Sequence, residues 1–136
     1  MSNTATKDLV AKGFGYLNER NLDAFFGLYS DDLRNPTLES MGLPTNKDGF
    51  KAFVNVFFTS FGSPQFLPQK VLCEGDTAMF HWVFKAQHTG EFQGVKASGK
   101  PVEFNAFVRF RVASDGKVIE QFDCADLATL MRQIGA

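Results

Sequence analysis

The spacing of the apolar residues changes part-way along this sequence, and that change limits the folds that the chain can adopt. Between residues 46 and 61 they recur at helical spacing, as on one face of a helix. They are Phe50, Phe53, Val54, Phe57, Phe58 and Phe61. From Val102 to Val112 every second residue is apolar, which is typical of a strand with one buried face. Helices followed by antiparallel strands predict an α+β domain whose helices cover one face of the sheet.

Two shorter helices are predicted before the aromatic stripe. Residues 7–19 have apolar side chains at helical spacing, and a second helix is expected from about Asp23 to about Tyr29, ended by Asp31-Asp32. The third helix should begin after Asn46, a suitable N-cap, and end at Gly62-Ser63-Pro64.

From about Gln65 onward the chain has the pattern of strands, and turn signals lie at Glu74-Gly75-Asp76 and at Ser114–Lys117. One predicted strand has Phe80, Trp82, Phe84 and His88 on one face and Met79, His81 and Val83 on the other. The last strand is predicted from Val118 to Asp123, and a short closing helix from Leu127 to Ile134.

Phenylalanine dominates the aromatic composition, with 16 Phe against 2 Tyr and 1 Trp. Because Phe carries no polar group, so many rings must lie in a core, a pocket wall or an interface. The length of 136 residues fits a single domain, residues 1–136, with one core. We therefore expect a curved antiparallel sheet wrapped around an aromatic-lined pocket.

The charges exclude several classes of partner. The 14 basic and 15 acidic side chains nearly balance, and no basic stripe interrupts the sequence. No apolar run approaches the roughly 20 residues of a membrane span. We therefore expect no nucleic acid and no membrane as partner. The N-terminal segment lacks the basic start and apolar stretch of a signal peptide, which predicts a cytoplasmic protein.

No cofactor and no metal are expected. The sequence has two His and two Cys, none at the spacing of metal ligands, and Cys73 and Cys124 are expected to be reduced thiols. Residues 94–100 match the first part of a phosphate-binding loop. However, Pro101 and a strand follow where such a loop needs Ser or Thr and a helix.

Five segments of the second half carry a resemblance to a known family. They are Glu74-Gly75-Asp76-Thr77-Ala78, His88-Thr89-Gly90-Glu91-Phe92, Ser98-Gly99-Lys100-Pro101-Val102, Asp115-Gly116-Lys117-Val118-Ile119-Glu120 and Phe122-Asp123-Cys124-Ala125-Asp126. With the opening helices and the Asn35-Pro36 turn, the chain resembles the SnoaL-like polyketide cyclase family, in the nuclear transport factor 2-like superfamily. Two positions depart from the family pattern: Phe122, where many members have Trp, and Lys96-Ala97-Ser98, where Pro-Pro-Thr is usual.

The resemblance implies a cone-shaped pocket between sheet and helices, no metal or organic cofactor, and frequent dimers through the outer face of the sheet. It also implies that an Asp in the region of Asp123 and Asp126 is an acid/base that moves a proton next to a carbonyl. A carboxylate among Phe walls would have a raised pKa and could transfer protons near neutral pH. The Asp-x-x-Asp spacing equally fits a pair that caps the last helix, and Asp126 is the better cap.

His81 and His88 are the remaining candidate catalytic residues, because a His can shuttle protons or donate to an oxyanion. His81 in mid-strand also fits a packing or interface residue, and His88 a residue that fixes a loop. The candidate residues for binding a substrate are Phe53, Phe57, Trp82, Phe104, Phe122 and Asn35. The aromatic stripe fits a core as well as a pocket wall.

Three functions remain open. The first is a cofactor-free cyclase or isomerase that acts on a small, largely apolar carbonyl compound. The second is a module that binds such a ligand without chemistry, and the third is an interaction domain whose pocket is closed by Phe. Phe107, Val83 and Met79 lie on sheet faces that the helices do not all cover, which predicts a homodimer through the sheet.

Overall fold

The computed structural model describes residues 1–135, which form a five-stranded sheet and the helices packed against it. The α-helices are α1 (Asn3–Asn18), α2 (Leu22–Phe26), α3 (Lys47–Thr59) and α4 (Leu127–Gln133). The strands are β1 (Tyr29–Arg34), β2 (Phe61–Glu74), β3 (Thr77–His88), β4 (Pro101–Val112) and β5 (Val118–Ala125). A 3-10 helix, Pro36–Met41, joins β1 to the loop before α3.

The strands lie in the order β1-β5-β4-β3-β2, and the sheet is curved. Strands β2 to β5 pair antiparallel with their sequence neighbours, whereas β1 pairs parallel with β5. Helix α1 packs on β2 and β3, and α3 packs between β2 and β1. The predicted α+β architecture is therefore confirmed, although the sheet is mixed at its β1 edge.

Strand β4 follows the predicted alternation. Its even-numbered residues from Val102 to Val112 are all buried, and its odd-numbered residues are all exposed. Strand β3 also alternates, although less strictly, and its residues Phe80, Trp82, Phe84 and His88 are buried. The inner face of the sheet and the apolar faces of α1 and α3 thus form one continuous core.

The predicted second helix is wrong at its C-terminal end. Helix α2 stops at Phe26, and Tyr29 begins strand β1, so Asp31-Asp32 lies within a strand. Pairing with β5 overrides local helical spacing, since Val118 donates a main-chain hydrogen bond to Leu28 (3.0 Å) and Tyr29 lies beside Val118.

The third helix begins where expected and ends earlier. Asn46 accepts a hydrogen bond from the backbone of Gly49 (3.0 Å), which confirms the predicted N-cap. The helix ends at Thr59, and Phe61 is already paired with His88 in the sheet. The apolar pattern did not mark the end of the helix, because Phe61 continues the helical spacing and is also buried as the first residue of β2.

The closing elements differ by one or two residues from the prediction: β5 continues to Ala125 and α4 ends at Gln133. Within residues 1–135, every helix is too short or too polar to cross a membrane.

Candidate functional site

A small cavity of about 60 Å³, which we call the inner cavity, lies between the helices and the sheet. One end of it is polar and is formed by Tyr29, Gln121 and Asp123. The rest of the wall is apolar and comes from α1, α2, α3 and strands β2 to β4: Val10, Gly13, Phe14, Leu17, Phe25, Phe50, Phe53, Val54, Phe57, Phe66, Phe80, Trp82 and Val108. A ligand in this cavity would therefore meet polar groups at one end only.

A wider cleft of about 220 Å³ adjoins the inner cavity. Its walls come from the 3-10 helix, α3, the loop after β3, and the end of β5 with the start of α4: Thr37, Leu38, Ser40, Met41, Phe53, Val56, Phe57, Phe92, Asp123, Cys124, Ala125 and Leu127. Phe53, Phe57 and Asp123 line both spaces. We call these three residues the neck, because both the inner cavity and the outer cleft border on them.

The carboxylate of Asp123 is held by two side-chain amides. Asn35 donates from Nδ2 to Oδ2 of Asp123 (2.7 Å), and Gln121 donates from Nε2 to both carboxylate oxygens (3.2 Å each). Asn35 is fully buried and Gln121 is 3 % exposed, so both donors are fixed in the protein interior. The carboxylate thus has a defined direction at the neck.

Further hydrogen bonds hold the two amides in place. Tyr29 donates from its hydroxyl to Oε1 of Gln121 (3.0 Å), and Thr37 donates from Oγ1 to Oδ1 of Asn35. The backbone N–H of Asp123 donates to Oγ1 of Thr37 (3.0 Å). This network joins β1, the 3-10 helix and β5, so the positions of all three elements determine the geometry of the carboxylate.

Burial and hydrogen bonding act in opposite directions on Asp123. Burial raises the pKa of the carboxyl above its ordinary value, and the hydrogen bonds from Asn35 and Gln121 oppose that rise without cancelling it. Burial, assisted by the nearby charge of Asp123, also raises the pKa of the Tyr29 hydroxyl, which therefore stays a donor at neutral pH. The polar end of the cavity combines a carboxylate able to accept a proton with a neutral phenol.

Asp126 lies apart from the cavity and caps helix α4. Its carboxylate accepts hydrogen bonds from the backbone N–H of Thr129 (3.1 Å) and from the hydroxyl of Thr129 (2.6 Å). These bonds lower the pKa of Asp126. Of the two aspartates that the sequence could not separate, only Asp123 reaches the cavity, because Asp126 is turned to the exposed start of α4.

The two histidines that were predicted to polarise a substrate lie elsewhere. His81 is on the outer face of the sheet, where its ring stacks on Phe107 (4.7 Å between centroids) and Nε2 contacts Oδ1 of Asn105 (2.7 Å). His88 is fully buried at the end of β3, where Nδ1 accepts a hydrogen bond from the backbone N–H of Ser98 (3.1 Å). Neither histidine lines the inner cavity or the outer cleft.

The predicted binding residues divide into two groups. Phe53, Phe57 and Trp82 line the inner cavity, and Asn35 holds Asp123 from behind its carboxylate. Phe104 is buried against Phe84 in the core and lies outside the cavity wall. Phe122 is on the outer face of the sheet because it alternates with Asp123 along β5, and the guanidinium of Arg109 covers its ring (4.6 Å).

Sequence reasoning missed Tyr29, Gln121 and Thr37. Gln121 lies two residues before Asp123 on the same strand, so the period of a strand puts both side chains on one face. That signal was available in the sequence. Tyr29 was hidden by its assignment to a helix, and the contact of Thr37 with Asp123 depends on the path of the 3-10 helix.

Within residues 1–135 no group of three or more His, Cys, Asp or Glu side chains is arranged to hold a metal ion. Cys73 and Cys124 are both unpaired. The polar groups available to a ligand in the cavity are therefore those of Asp123, Gln121 and Tyr29.

Comparisons with known proteins agree with this architecture. AclR from Streptomyces galilaeus, proposed to be a hydroxylase, is similar in structure over 98 % of both chains, with a TM-score of 0.86 and 21 % sequence identity. TsrD from Streptomyces laurentii is similar over 100 % of this chain and 98 % of its own, with a TM-score of 0.84 and 22 % identity. A SnoaL-like polyketide cyclase from Agrobacterium tumefaciens is similar over 99 % of this chain and 100 % of its own, with a TM-score of 0.79 and 16 % identity.

At these identities the structural neighbours show the fold, which is that of nuclear transport factor 2-like proteins. No curated protein is close enough in sequence to match the chain. The model of the SnoaL-like polyketide cyclase family matches residues 8–134, nearly the whole length. The chain therefore belongs to the SnoaL-like polyketide cyclase family.

Proposed function

We propose that the protein binds a small, largely apolar carbonyl compound at the neck and that Asp123 moves a proton on the carbon next to the carbonyl. The observation that carries this proposal is the position of Asp123: a half-buried carboxylate of raised pKa, at the polar end of an otherwise apolar cavity. A base of this kind can accept a carbon-bound proton near neutral pH more readily than a solvated carboxylate.

The proposed chemistry needs no atom from outside the substrate and the protein. Asp123 takes the proton from the carbon next to the carbonyl, and the electron pair of the C–H bond passes into an enolate. In an aldol cyclisation the enolate carbon then forms a bond to a second carbonyl of the same molecule, and the proton returns to the new alkoxide. In an isomerisation the proton returns to a different carbon.

The neighbours of Asp123 are suited to support this role. Asn35 and Gln121 hold the carboxylate oxygens at fixed positions, so little reorganisation accompanies proton transfer. Tyr29 is a neutral hydroxyl at the same end of the cavity and is a candidate donor to a carbonyl or enolate oxygen. It would have to exchange its hydrogen bond to Gln121 for one to the substrate.

The test is the exchange of hydrogen for deuterium next to the carbonyl of small ketones in D₂O, followed by proton NMR. We expect Asp123→Asn to lose about 10²–10⁴-fold in rate, the usual contribution of a positioned acid or base. Asp126→Asn is the matched control, since Asn also caps helices well and the residue lies outside the cavity. Equal rates in wild type and Asp123→Asn would rule out the proposed role.

The alternative is a module of the same fold that binds an apolar ligand without reaction. The apolar wall of the inner cavity supports it, since such a wall holds an apolar ligand whether or not Asp123 reacts. The Phe rings that fill most of the interior would instead suit an interaction domain. The two functions separate in the same experiment, because a ligand-binding module would bind ketones in both wild type and Asp123→Asn with no exchange above the buffer rate.

We also propose that the protein is a homodimer joined through the outer face of its sheet. Phe107 and Met79 are 55 % and 57 % exposed there, and Val83 lies half-buried on the same strand as Met79. Large apolar side chains exposed side by side on one face are typical of an interface. A cytoplasmic location stays a prediction from the sequence.

A further inference from the structure

We propose that the ligand is an uncharged ketone with two unequal arms, a slim unbranched alkyl arm in the inner cavity and a bulkier arm in the outer cleft. This inference rests on the proposed function, which puts the carbonyl beside Asp123. It adds the shape and the charge of the ligand, and both follow from the way the two spaces meet.

The first step is the position of the neck. Asp123 lines the inner cavity and the outer cleft, together with Phe53 and Phe57. A carbonyl beside Asp123 therefore lies at the boundary between the two spaces. Because the inner cavity extends to one side of this point and the cleft to the other, a ligand that fills both has a substituent on each side of its carbonyl.

The second step is size. The inner cavity has about 60 Å³ and the outer cleft about 220 Å³. At roughly 15 Å³ for each water-sized group, the inner cavity has room for about four such groups, which is the size of a short alkyl chain. The rings of Phe53 and Phe57 pack edge to face at the neck (5.2 Å between centroids), and both rings border on the two spaces. A fused ring system is larger than a space with room for about four water-sized groups, so it does not fit the inner cavity.

The third step is charge. Among the described residues, neither lining includes a Lys, Arg or His side chain, and Asp123 is the one charged residue of both. An anionic ligand would be repelled by Asp123 and would find no counter-ion. A cationic group beside Asp123 would lower its pKa and so oppose its proposed role as a base. The ligand class that fits both the linings and that role is therefore an uncharged carbonyl compound.

A substitution at Gly13 can test whether the alkyl arm of the ligand lies in the inner cavity. It lies in the wall of the inner cavity on α1, and a Cβ at this position would lie 3.6 Å from Phe25 and 3.8 Å from Leu28, which is ordinary van der Waals contact. Gly13→Ala therefore removes about one methyl group of cavity without a clash. Gly15→Ala is the matched control, because Gly15 is exposed on the same helix and a Cβ there meets nothing within 4 Å. Both changes improve helix propensity, so neither should unfold the protein.

The experiment measures the affinity of cyclohexyl n-alkyl ketones whose alkyl arm grows from methyl to hexyl. Trp82 is the only tryptophan and lines the inner cavity, so its fluorescence reports binding. In wild type and Gly15→Ala we expect the affinity to rise about fourfold with each methylene until the inner cavity is full, and then to stop rising. In Gly13→Ala the rise should stop about one methylene earlier. A tert-butyl ketone should bind more weakly than the n-butyl ketone.

Three results would overturn the inference: no binding by any member of the series, an affinity independent of arm length, or the same limiting length in Gly13→Ala and Gly15→Ala. The proposed function is judged separately, by deuterium exchange in the same ketones. A length limit that shifts in Gly13→Ala, found without exchange, would support the two-armed ligand and contradict the acid/base role of Asp123.

Discussion

Burial and hydrogen bonding shift the pKa of Asp123 in opposite directions. Burial raises its pKa, whereas the amides of Asn35 and Gln121 stabilise the charged form and lower it. The same two donors fix the direction of its oxygens at the neck. The position of the carboxylate and its proton affinity therefore depend on the same neighbours, and removing one donor should change both.

Asn35→Leu tests this dependence. Leu has a similar shape and donates no hydrogen bond, so the ionised form of Asp123 loses its shorter hydrogen bond (2.7 Å) and the pKa of Asp123 rises further. A base acts only when ionised, so the acidic limb of the profile of kcat/KM against pH should move to higher pH, by about one unit. The measurement is the rate of ketone deuterium exchange across pH.

The control for this change is Asn105→Leu, which removes an amide from the outer face of the sheet. It should leave the profile in place. If Asn35→Leu slows exchange at every pH by the same factor and leaves the acidic limb unmoved, Asn35 has a purely structural role and its effect on the charge of Asp123 is excluded.

From the sequence, Asp123 and Asp126 were both candidates for the acid/base, and which of them faces the cavity could not be predicted. The reason is that an Asp at the end of a strand and an Asp that caps the next helix have the same local pattern when three residues separate them. What separates them is the pairing of β5 with β4, which turns Asp123 inward beside Val108. Such pairing is set by distant parts of the chain.

Strand β1 is a whole element that local sequence did not predict, because its pairing also depends on a distant part of the chain. Its residues have helical spacing with α2, yet Tyr29 and Ser30 are buried in a strand parallel to β5. The long strand β4 was predictable because one face is buried and the other exposed along its whole length. A short edge strand has too few residues to show such a pattern, and Tyr29, which reaches the cavity from it, was missed for that reason.

The loop between β3 and β4 is held by the buried His88. Its Nδ1 accepts a hydrogen bond from the backbone N–H of Ser98 (3.1 Å) and contacts the Ser98 hydroxyl (2.9 Å). Because Nδ1 is an acceptor, the ring proton is on Nε2, which has no partner among the described residues. The loop also carries Phe92, a wall of the outer cleft.

We expect His88→Leu to loosen this loop while lowering the free energy of unfolding by only about 1 kcal/mol. The variant loses the hydrogen bonds to Ser98, worth about 1 kcal/mol each, and also removes a buried N–H without a partner, whose cost is of similar size. Hydrogen exchange should become faster at the amides of Ser98 and Lys100, and ketone affinity should fall as Phe92 becomes less fixed.

His81→Leu is the control for this experiment, since His81 is on the outer face and makes no contact with the loop. It should leave exchange at Ser98 unchanged. Unchanged exchange at Ser98 in His88→Leu as well would show that the loop is held by its other contacts, chiefly Ser60, whose hydroxyl donates to the carbonyl of Glu91 (2.7 Å).

At the scale of the whole molecule, the sequence predicts an aromatic interior but does not predict the volume of the cavity within it. Sixteen Phe residues imply a core or a pocket wall, but the volume that remains depends on how each ring is turned. Phe57 meets Phe84 at 5.0 Å and Phe53 at 5.2 Å between centroids, and such close contacts leave only a small inner cavity. Ring orientation results from the packing of all elements together.

The outer face of the sheet is the other large apolar surface of the molecule. His81 stacks on Phe107, and Met79 lies two residues away from His81 on β3, opposite Arg109. Arg109 is itself engaged by Glu120 (3.0 Å) and by the ring of Phe122 (4.6 Å). The guanidinium of Arg109 is thus engaged by its neighbours, and the ring of Phe107 stays exposed to a second copy of the chain.

Phe107→Glu should convert the proposed homodimer to a monomer at micromolar concentration, as measured by sedimentation velocity. In a two-fold interface Phe107 contacts the partner on both sides, so one substitution places two carboxylates in the interface and each lacks a counter-ion. Ala11→Glu adds the same charge on the exposed face of α1 and should leave the dimer intact. A wild-type protein that sediments as a monomer contradicts the dimer outright. A dimer that persists in Phe107→Glu would show that the interface lies on another part of the surface.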